Sequence, residues 1–295
     1  MTNKGLIIVN AYCVYASIQN QANRLKEELE NLGITIDIKG NDFGACFIDS
    51  NGQIINTIKY KYDFVIYLDK DNYQLSLLEL SGTRVFNKVH ALMKCDDMML
   101  TNIALANNGI KVPVTLPAPF CSRNISDFDF SSVVKSKLGF PVICKESYQT
   151  LGISNFIIYD EKQLKQIEMK LQNKKHFYQE YIVTSRNHDF RGLVVGKKVV
   201  ACIDRKNKDD TFATLDSQSD VCAYELNEEY RDLVEKVATV LDLDYCGVDL
   251  VVGNKGEPIV VNVDANSSLS NIEKLTGVNV AEAYAKYIKN VIYNN

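Results

Sequence analysis

Between Tyr245 and Asn271 the sequence YCGVDLVVGNKGEPIVVNVDANSSLSN sets oxygen-bearing side chains into two apolar runs joined by Gly253-Asn254-Lys255-Gly256. Runs of this kind on either side of a glycine-bounded turn predict a β-hairpin. Side chains alternate faces along a strand, so Asn262 and Asp264 share one face, and pairing across the four-residue turn brings Asp249 onto it. Two carboxylates and an amide are oxygen donors. They suit a hard cation such as Mg²⁺, which proteins hold through one or two carboxylates together with substrate phosphates. The same three residues also fit a solvated, exposed sheet face, and the hairpin alone leaves both readings open.

Composition bounds the partners. At 295 residues the chain holds one large or two to three smaller domains, and 46% hydrophobic with 24% charged residues is ordinary for a globular protein. A net charge of -4 and a pI near 5.5 exclude the general basic field that would hold nucleic acid or an anionic membrane. Local lysines, at Lys197-Lys198 and at Lys206 and Lys208, leave a phosphate-bearing small ligand open, and they fit solvated loops as well. The eight cysteines form no CxxC pair and have no histidine at zinc-like spacing. Cys144 and Cys202 lie inside apolar runs, which predicts reduced, buried thiols and a reducing cytoplasm. Met1-Thr2-Asn3-Lys4 leads straight into the strand-like GLIIVN, so neither export nor a membrane anchor is expected.

The elements that must position the hairpin begin in strand, helix, strand order. Gly5 to Asn10 reads as a buried strand, and a helix from about Ser17 places Ala22, Leu25, Leu29 and Leu32 on one face before stopping at Gly33. Ile34 to Ile38 and Phe64 to Leu68 are further strands, with a hairpin between them turning at Asn51-Gly52. This order predicts an open α/β layer without a GxGxxG fingerprint. Asn87 to Asn108 is mainly helical, and Gly139 to Lys145 is a strand that delivers a lysine at its end. The loop Glu146 to Gly152 and a strand from Ser154 to Ile158 follow, an arrangement that fits over a phosphate chain and fits an ordinary β-turn equally. Phe177 to Val183 is a strand carrying Gln179 and Glu180, and Gly192 to Asp204 a hairpin turning at Gly196-Lys197. A core-facing helix spans Glu228 to Leu241, and the last one, about Val280 to Ile292, is capped by Asn279 with Glu282 three residues on.

Taken in order, Lys145, Gln179-Glu180-Tyr181-Ile182, Asp189-x-Arg191, Arg205 and the Asp249, Asn262 and Asp264 hairpin resemble the ATP-grasp superfamily, in particular the RimK-type carboxylate-amine (alpha-L-glutamate) ligases. The resemblance runs through GLIIVNAY, Arg84-Val-Phe-Asn87, Cys95-Asp-Asp97 leading into LTNIALANNGIKVPVT, and the Ile272 to Gly277 segment. It implies an α/β (α+β) ATP-grasp fold. The N-terminal open α/β domain would span 1–93, a central subdomain 94–178, and a C-terminal subdomain with the metal site 179–295. ATP would be clamped between the antiparallel sheets of the last two. The resemblance further implies ATP contacts from Lys145, Gly152, Gln179, Glu180, Tyr181, Ile182 and Asp189, and from a loop carrying Phe212, Ala213 and Thr214. Arg191 and Arg205 would be catalytic, at the transferring phosphate or the acceptor carboxylate, and Asp249, Asn262 and Asp264 would hold Mg²⁺ or Mn²⁺. The implied activity is an ATP-dependent amide or peptide ligation through an acylphosphate, on an amino acid or peptide, in a cytoplasmic homo-oligomer that engages neither nucleic acid nor membrane.

Four positions depart from the family pattern. Its Glu-x-Asn metal motif is Asn262-x-Asp264 here, and the lysine after its Asp-Asp pair is Met98. Its glycine-rich loop retains only Gly152, beside Tyr148, Gln149, Thr150 and Leu151, and a loop asparagine is Thr214. These departures define the alternative expectation, an ATP-binding pseudoenzyme or regulatory module of the same fold.

Overall fold

Lys4–Val9 forms β1, and five of its six residues are buried because a parallel strand covered on both faces has to be apolar throughout. The computed structural model describes residues 3–13, 15–148, 155–207 and 219–294. After β1, helix α1 (Ala16–Asn31) turns Ala22, Leu25 and Leu29 inward and ends at Gly33, whose φ of 83° favours glycine. There follow β2 (Thr35–Gly40), a small hairpin of β3 (Cys46–Ile48) and β4 (Ile54–Asn56), then β5 (Phe64–Tyr67), α2 (Asn72–Leu80) and β6 (Arg84–Phe86). The larger strands pair in parallel in the order β2-β1-β5-β6, the expected open α/β layer.

The stretch from Asn87 to Asn108, read as mainly helical, is two helices, α3 (Val89–Asp96) and α4 (Met98–Asn107). Asp97 divides them. Its backbone is extended, and its carboxylate accepts the Met99 and Leu100 amides at 3.0 and 3.2 Å, an N-cap that outcompetes helix continuation.

The next sheet is built from β7 (Thr115–Pro117), β8 (Val142–Glu146), β9 (Asn155–Ile158) and β10 (His176–Glu180), with α5 (Ser131–Lys137) and α6 (Glu161–Leu171) on its outer side. Its antiparallel order is β7-β10-β8-β9. Strand β10 stops at Glu180, short of the expected Val183, because its neighbour starts at Thr115; beyond it, the Thr184 and Ser185 hydroxyls turn to the Val252 carbonyl at 2.9 and 2.8 Å.

The third sheet contains β11 (His188–Val195), β12 (Lys198–Asn207), β13 (Ser219–Ala223), β14 (Tyr245–Val252) and β15 (Pro258–Asp264), with α7 (Glu228–Val240), α8 (Ser270–Thr276) and α9 (Val280–Tyr293). Its antiparallel order is β13-β12-β11-β14-β15. The β11–β12 hairpin is longer than expected but turns at the expected Gly196-Lys197, with φ of 56° and 72°. A Cβ on Gly196 would stand 2.4 Å from the Tyr287 ring, so glycine is required there.

Two apolar cores tie the first sheet to the third. Leu6, Val65 and Leu75 join Val194, Val234 and Val248 in one, and Ile7, Leu25 and Phe86 join Leu193, Tyr245 and Tyr284 in the other. The central sheet has its own core around Val142, Leu164 and Tyr178. Among the described residues no helix is long and apolar enough to cross a membrane, and Cys144 and Cys202 are buried free thiols.

Candidate active site

Register sets the centre of the site. Across β11 and β14 Arg191 lies opposite Asp249, across β11 and β12 Asp189 lies opposite Arg205, and across β14 and β15 Asp249 lies opposite Asn262. All five therefore rise from one face of the sheet. Arg191 holds Asp249 in a fork, Nε to Oδ1 at 2.6 Å and Nη2 to Oδ2 at 2.7 Å. Arg205 holds Asp189 in a second fork, both contacts at 2.6 Å, and its Nη2 reaches Asp249 at 2.9 Å. The Asn262 amide donates to Asp249 at 3.0 Å. Paired guanidinium–carboxylate forks are among the strongest charge-assisted contacts a protein makes.

Burial makes this network consequential. Asp249 is 4% exposed, so the solvated-face reading fails for it. Burial alone would raise its pKa, but the Arg191 and Arg205 guanidiniums overcome that and hold it well below the usual carboxylate range. Asp189 is pushed up to about 6 by burial and by the neighbouring Asp249 charge, against the pull of Arg205. Lys145, at the end of β8, is 5% exposed. Burial pushes its ammonium down to about 8, with Asp249 opposing the shift.

These groups face a cleft of about 560 Å³ between the central and third sheets. It gathers Lys145, Gln179, Glu180, Tyr181, Ile182, Asp189, Arg191, Arg205, Asp249, Asn262 and Asp264 into one lining. Gly152, Phe212, Ala213 and Thr214 lie outside the described residues. In the β10 segment, Glu180 takes the Val114 amide on Oε1 at 2.9 Å. Gln179 donates to Thr115 at 2.9 Å, while its buried Oε1 has no partner among the described residues, leaving an acceptor to be satisfied.

Lys70, Asp96 and Asn266 also join the lining; Lys70 belongs to the Asp69 to Tyr73 loop that the family resemblance puts on the acceptor side, while Asp96 and Asn266 had been given no role. Asp96 accepts from Asn72 at 3.2 Å, and burial raises its pKa against the opposing charge of Lys70. Their signals in the sequence were a charged run at a strand end for Lys70 and, for Asp96, its place in the Cys95-Asp-Asp97 segment that carries the resemblance. Met98 also lines the cleft, as a buried apolar side chain.

A divalent cation fits the donor set on one condition. Asn262 spends its NH₂ on Asp249, which leaves its oxygen for a cation, and Asp264 is half-exposed, with Oδ1 accepting the Asn266 amide at 3.1 Å and Oδ2 3.9 Å from Arg191 Nη1. Asp249 already serves two guanidiniums and would enter a metal shell by sharing its oxygens with them. Among the described residues no group of three or more His, Cys, Asp or Glu side chains gathers for a metal. A cation here would need ligand phosphates to complete its shell, the usual habit of Mg²⁺.

Comparison with known proteins follows the same lines. Residues 95–288 match the family described as the RimK-like ATP-grasp domain. The chain is 28% identical over 277 residues to an uncharacterised protein of Mycoplasma pneumoniae, covering 92% of this chain and 94% of that protein. It is 30% identical over 218 residues to a probable alpha-L-glutamate ligase of an Enterobacter species, covering 73% of this chain and 70% of the relative. In fold it matches D-alanine–D-alanine ligase from Bacillus anthracis complexed with ATP, with a TM-score of 0.75 at 15% identity over 100% of this chain and 99% of that one.

Proposed function

This chain belongs to the RimK-like ATP-grasp family, and we propose that it is an ATP-dependent ligase that joins a carboxylate to an amine through an acylphosphate. The observation that carries this reading is the Arg191–Asp249–Arg205–Asp189 network facing Lys145 across one cleft. Three cationic groups at fixed positions suit a reaction whose charge sits on phosphate oxygens and then on a tetrahedral carbon centre.

In this proposal ATP lies with its base along Gln179 to Ile182, where the unpartnered Gln179 Oε1 accepts from the adenine amine. Asp189 lies close to the nucleotide, Lys145 takes the phosphates, and Gly152 and the Phe212, Ala213 and Thr214 loop belong to the nucleotide side. The substrate carboxylate oxygen attacks the γ-phosphorus as the bond to the β-bridging oxygen breaks, releasing ADP. The amine nitrogen then adds to the acyl carbon, and the carbon–oxygen bond breaks to release phosphate as the amine loses its proton. Arg191 and Arg205 stay charged throughout, and the N–H groups not spent on Asp189 and Asp249, those of Nη1 above all, would meet phosphate or carboxylate oxygens. Asp249, Asn262 and Asp264 would hold Mg²⁺ or Mn²⁺, which supplies charge neutralisation at phosphate oxygens. The acceptor, an amino acid or peptide as the relative named a glutamate ligase suggests, would enter at the Lys70 and Asp96 end. The division at 1–93, 94–178 and 179–295, a homo-oligomeric state and a cytoplasmic setting, where eight unpaired thiols stay reduced, belong to the same proposal.

The test is ADP release with ATP and Mg²⁺ against a panel of amino acids and short peptides, with thermal denaturation in ATP alongside. Acceptor-stimulated ADP release is expected. Stabilisation by ATP with no release on any acceptor would favour the non-catalytic alternative, and no stabilisation would remove the nucleotide site.

Lys145 adds a pH dependence. Its ammonium is charged below about 8 and neutral above, so the dissociation constant for ATP is expected to rise by up to about tenfold per unit above 8. Calorimetric titration in Lys145→Gln should show weak binding with that rise abolished. An unchanged profile in the variant would assign the titration to another group.

A further inference from the structure

We infer that Asn87 is a positioning residue: a single buried carboxamide, placed just after β6 of the first sheet, closes the open end of the β14–β15 hairpin and so fixes Asp264 and Asn266 in the cleft. Asn87 is 2% exposed. Its Oδ1 accepts the amides of Asp244 at 2.7 Å and Tyr245 at 2.9 Å. Its Nδ2 donates to the carbonyls of Tyr245 and Ala265, each at 2.9 Å. Two acceptor sites and two donor hydrogens are the whole capacity of an Asn side chain, and all four are used.

The place of these contacts gives them their meaning. The β14–β15 ladder ends at Gly247 opposite Asp264. Continued, its register would set Tyr245 opposite Asn266, but no rung forms there. Asn87 supplies the missing rung from another sheet, bonding both the N–H and the C=O of Tyr245 as a paired strand would, and spending its second hydrogen on Ala265, the residue after β15. Two further contacts hold the same turn, the Tyr245 hydroxyl to the Ser267 carbonyl at 2.7 Å and Arg191 Nη1 to the Ser267 hydroxyl at 3.4 Å. Gly247 permits this closeness, because a Cβ there would lie 2.6 Å from Ser267 Oγ. The third-sheet wall of the cleft is therefore completed by a residue of the first sheet, and Asp264 is aimed by a side chain that does not itself line the cleft.

No smaller or charged residue can repeat this pattern. Alanine leaves two N–H and two C=O groups unpaired, and aspartate loses both donor hydrogens while facing two carbonyls. Glutamine keeps all four groups but carries them one methylene further, so it separates position from satisfaction.

The experiment uses the full-length protein as wild type, Asn87→Gln, Asn87→Ala and Arg24→Ala. Arg24 also ties the N-terminal part to the C-terminal part, through Glu273 at 3.3 Å and Asn279 at 3.1 Å, and lies outside the cleft. Steady-state kinetics well below each melting temperature and amide hydrogen exchange over Asp264 to Ser267 are the two readouts. Asn87→Gln is expected to melt near wild type, with kcat lowered about 10- to 100-fold, KM for ATP within about threefold, and faster exchange over that segment. Arg24→Ala is expected to melt earlier with kcat unchanged. Wild-type kcat and exchange in Asn87→Gln, or losses in Asn87→Ala that merely track its melting as in Arg24→Ala, would overturn the inference. The kinetic readout rests on the ligase reading. If wild type releases no ADP with any acceptor, that reading fails, and exchange over Asp264 to Ser267 alone decides for or against Asn87.

Discussion

Asp249→Asn is expected to lower acceptor-stimulated ADP release by about a thousandfold and to destabilise the protein by about 3 kcal/mol. Both effects come from one geometry. The native carboxylate accepts from Arg191 twice, from Arg205 once and from Asn262 once. The amide replacing it has the same shape but no charge, and one of its arms turns donors toward donors. Two guanidiniums, 11% and 2% exposed, are then left with too little negative charge in a dry site, which is the costly way to break a buried pair. Because the arginines hold the folded pKa below the unfolded value of 3.8, the carboxylate's contribution is complete above that pH and is lost as pH falls through the folded value. The Asp249 carboxylate itself therefore adds no pH dependence to the stability difference from about pH 6.5 to 7.5, between the titrations of Asp189 near 6 and Lys145 near 8, both of which its charge raises. Urea unfolding over that range and a coupled ADP assay read the two effects. Wild-type turnover in the variant would remove Asp249 from the site, and a stability difference that vanishes at neutral pH would contradict the ion network.

The hairpin carrying Asp249 shows how a sequence reading can reach the right face by an incomplete path. The alternation of apolar and polar residues marks both strands, and the glycines mark the turn, because these are local properties. The loop between the paired Val252 and Pro258 holds five residues, Gly253 to Glu257, one more than read. With no further irregularity that register would set Asp249 opposite Val261 and send Asn262 to the other face. A bulge restores it. The ladder skips Val261, so Asp249 meets Asn262 after all, and the freed Val261 carbonyl accepts from Lys145 at 3.4 Å. Nothing in the local sequence announces that bulge. The pairing of Arg205 with Asp189 is equally silent, because it depends on a second irregularity, between Leu193 and Val194 in the β11–β12 hairpin, and that of Asn87 with backbone nearly 160 residues away follows from the packed fold and not from any stretch of residues. What was legible across the chain was the order of chemical groups, which the family resemblance reads. That order includes Cys95-Asp-Asp97, but that Lys70 and Asp96 line one cleft with Asp264 follows only from the packing of the first sheet against the third.

Arg205→Lys is expected to lower kcat by about 100- to 1,000-fold while raising KM for ATP by less than about fivefold. The substitution keeps the charge, so a loss this large has to come from geometry. Arg205 forks onto Asp189 with two contacts at 2.6 Å and reaches Asp249 with a third at 2.9 Å, all from one rigid plane. A lysine offers one compact ammonium on a flexible stem and cannot span two carboxylates on neighbouring strands in that planar arrangement. Asp249 keeps Arg191 and Asn262, but Asp189, largely enclosed, loses its fork if the lysine leaves it. The free carboxylate should then recruit a proton, and the Asp189 side of the network already sits near 6. Relative to wild type, where Asp189 sits near 6, the residual activity of the variant is therefore expected to acquire a new, higher ionisation, rising toward the pH at which the carboxylate is charged. A pH profile of kcat in both proteins measures it. If KM for ATP rises as far as kcat falls, with no new ionisation, Arg205 serves nucleotide binding alone. A large fall in kcat with the new ionisation would place it at the charge that develops during transfer.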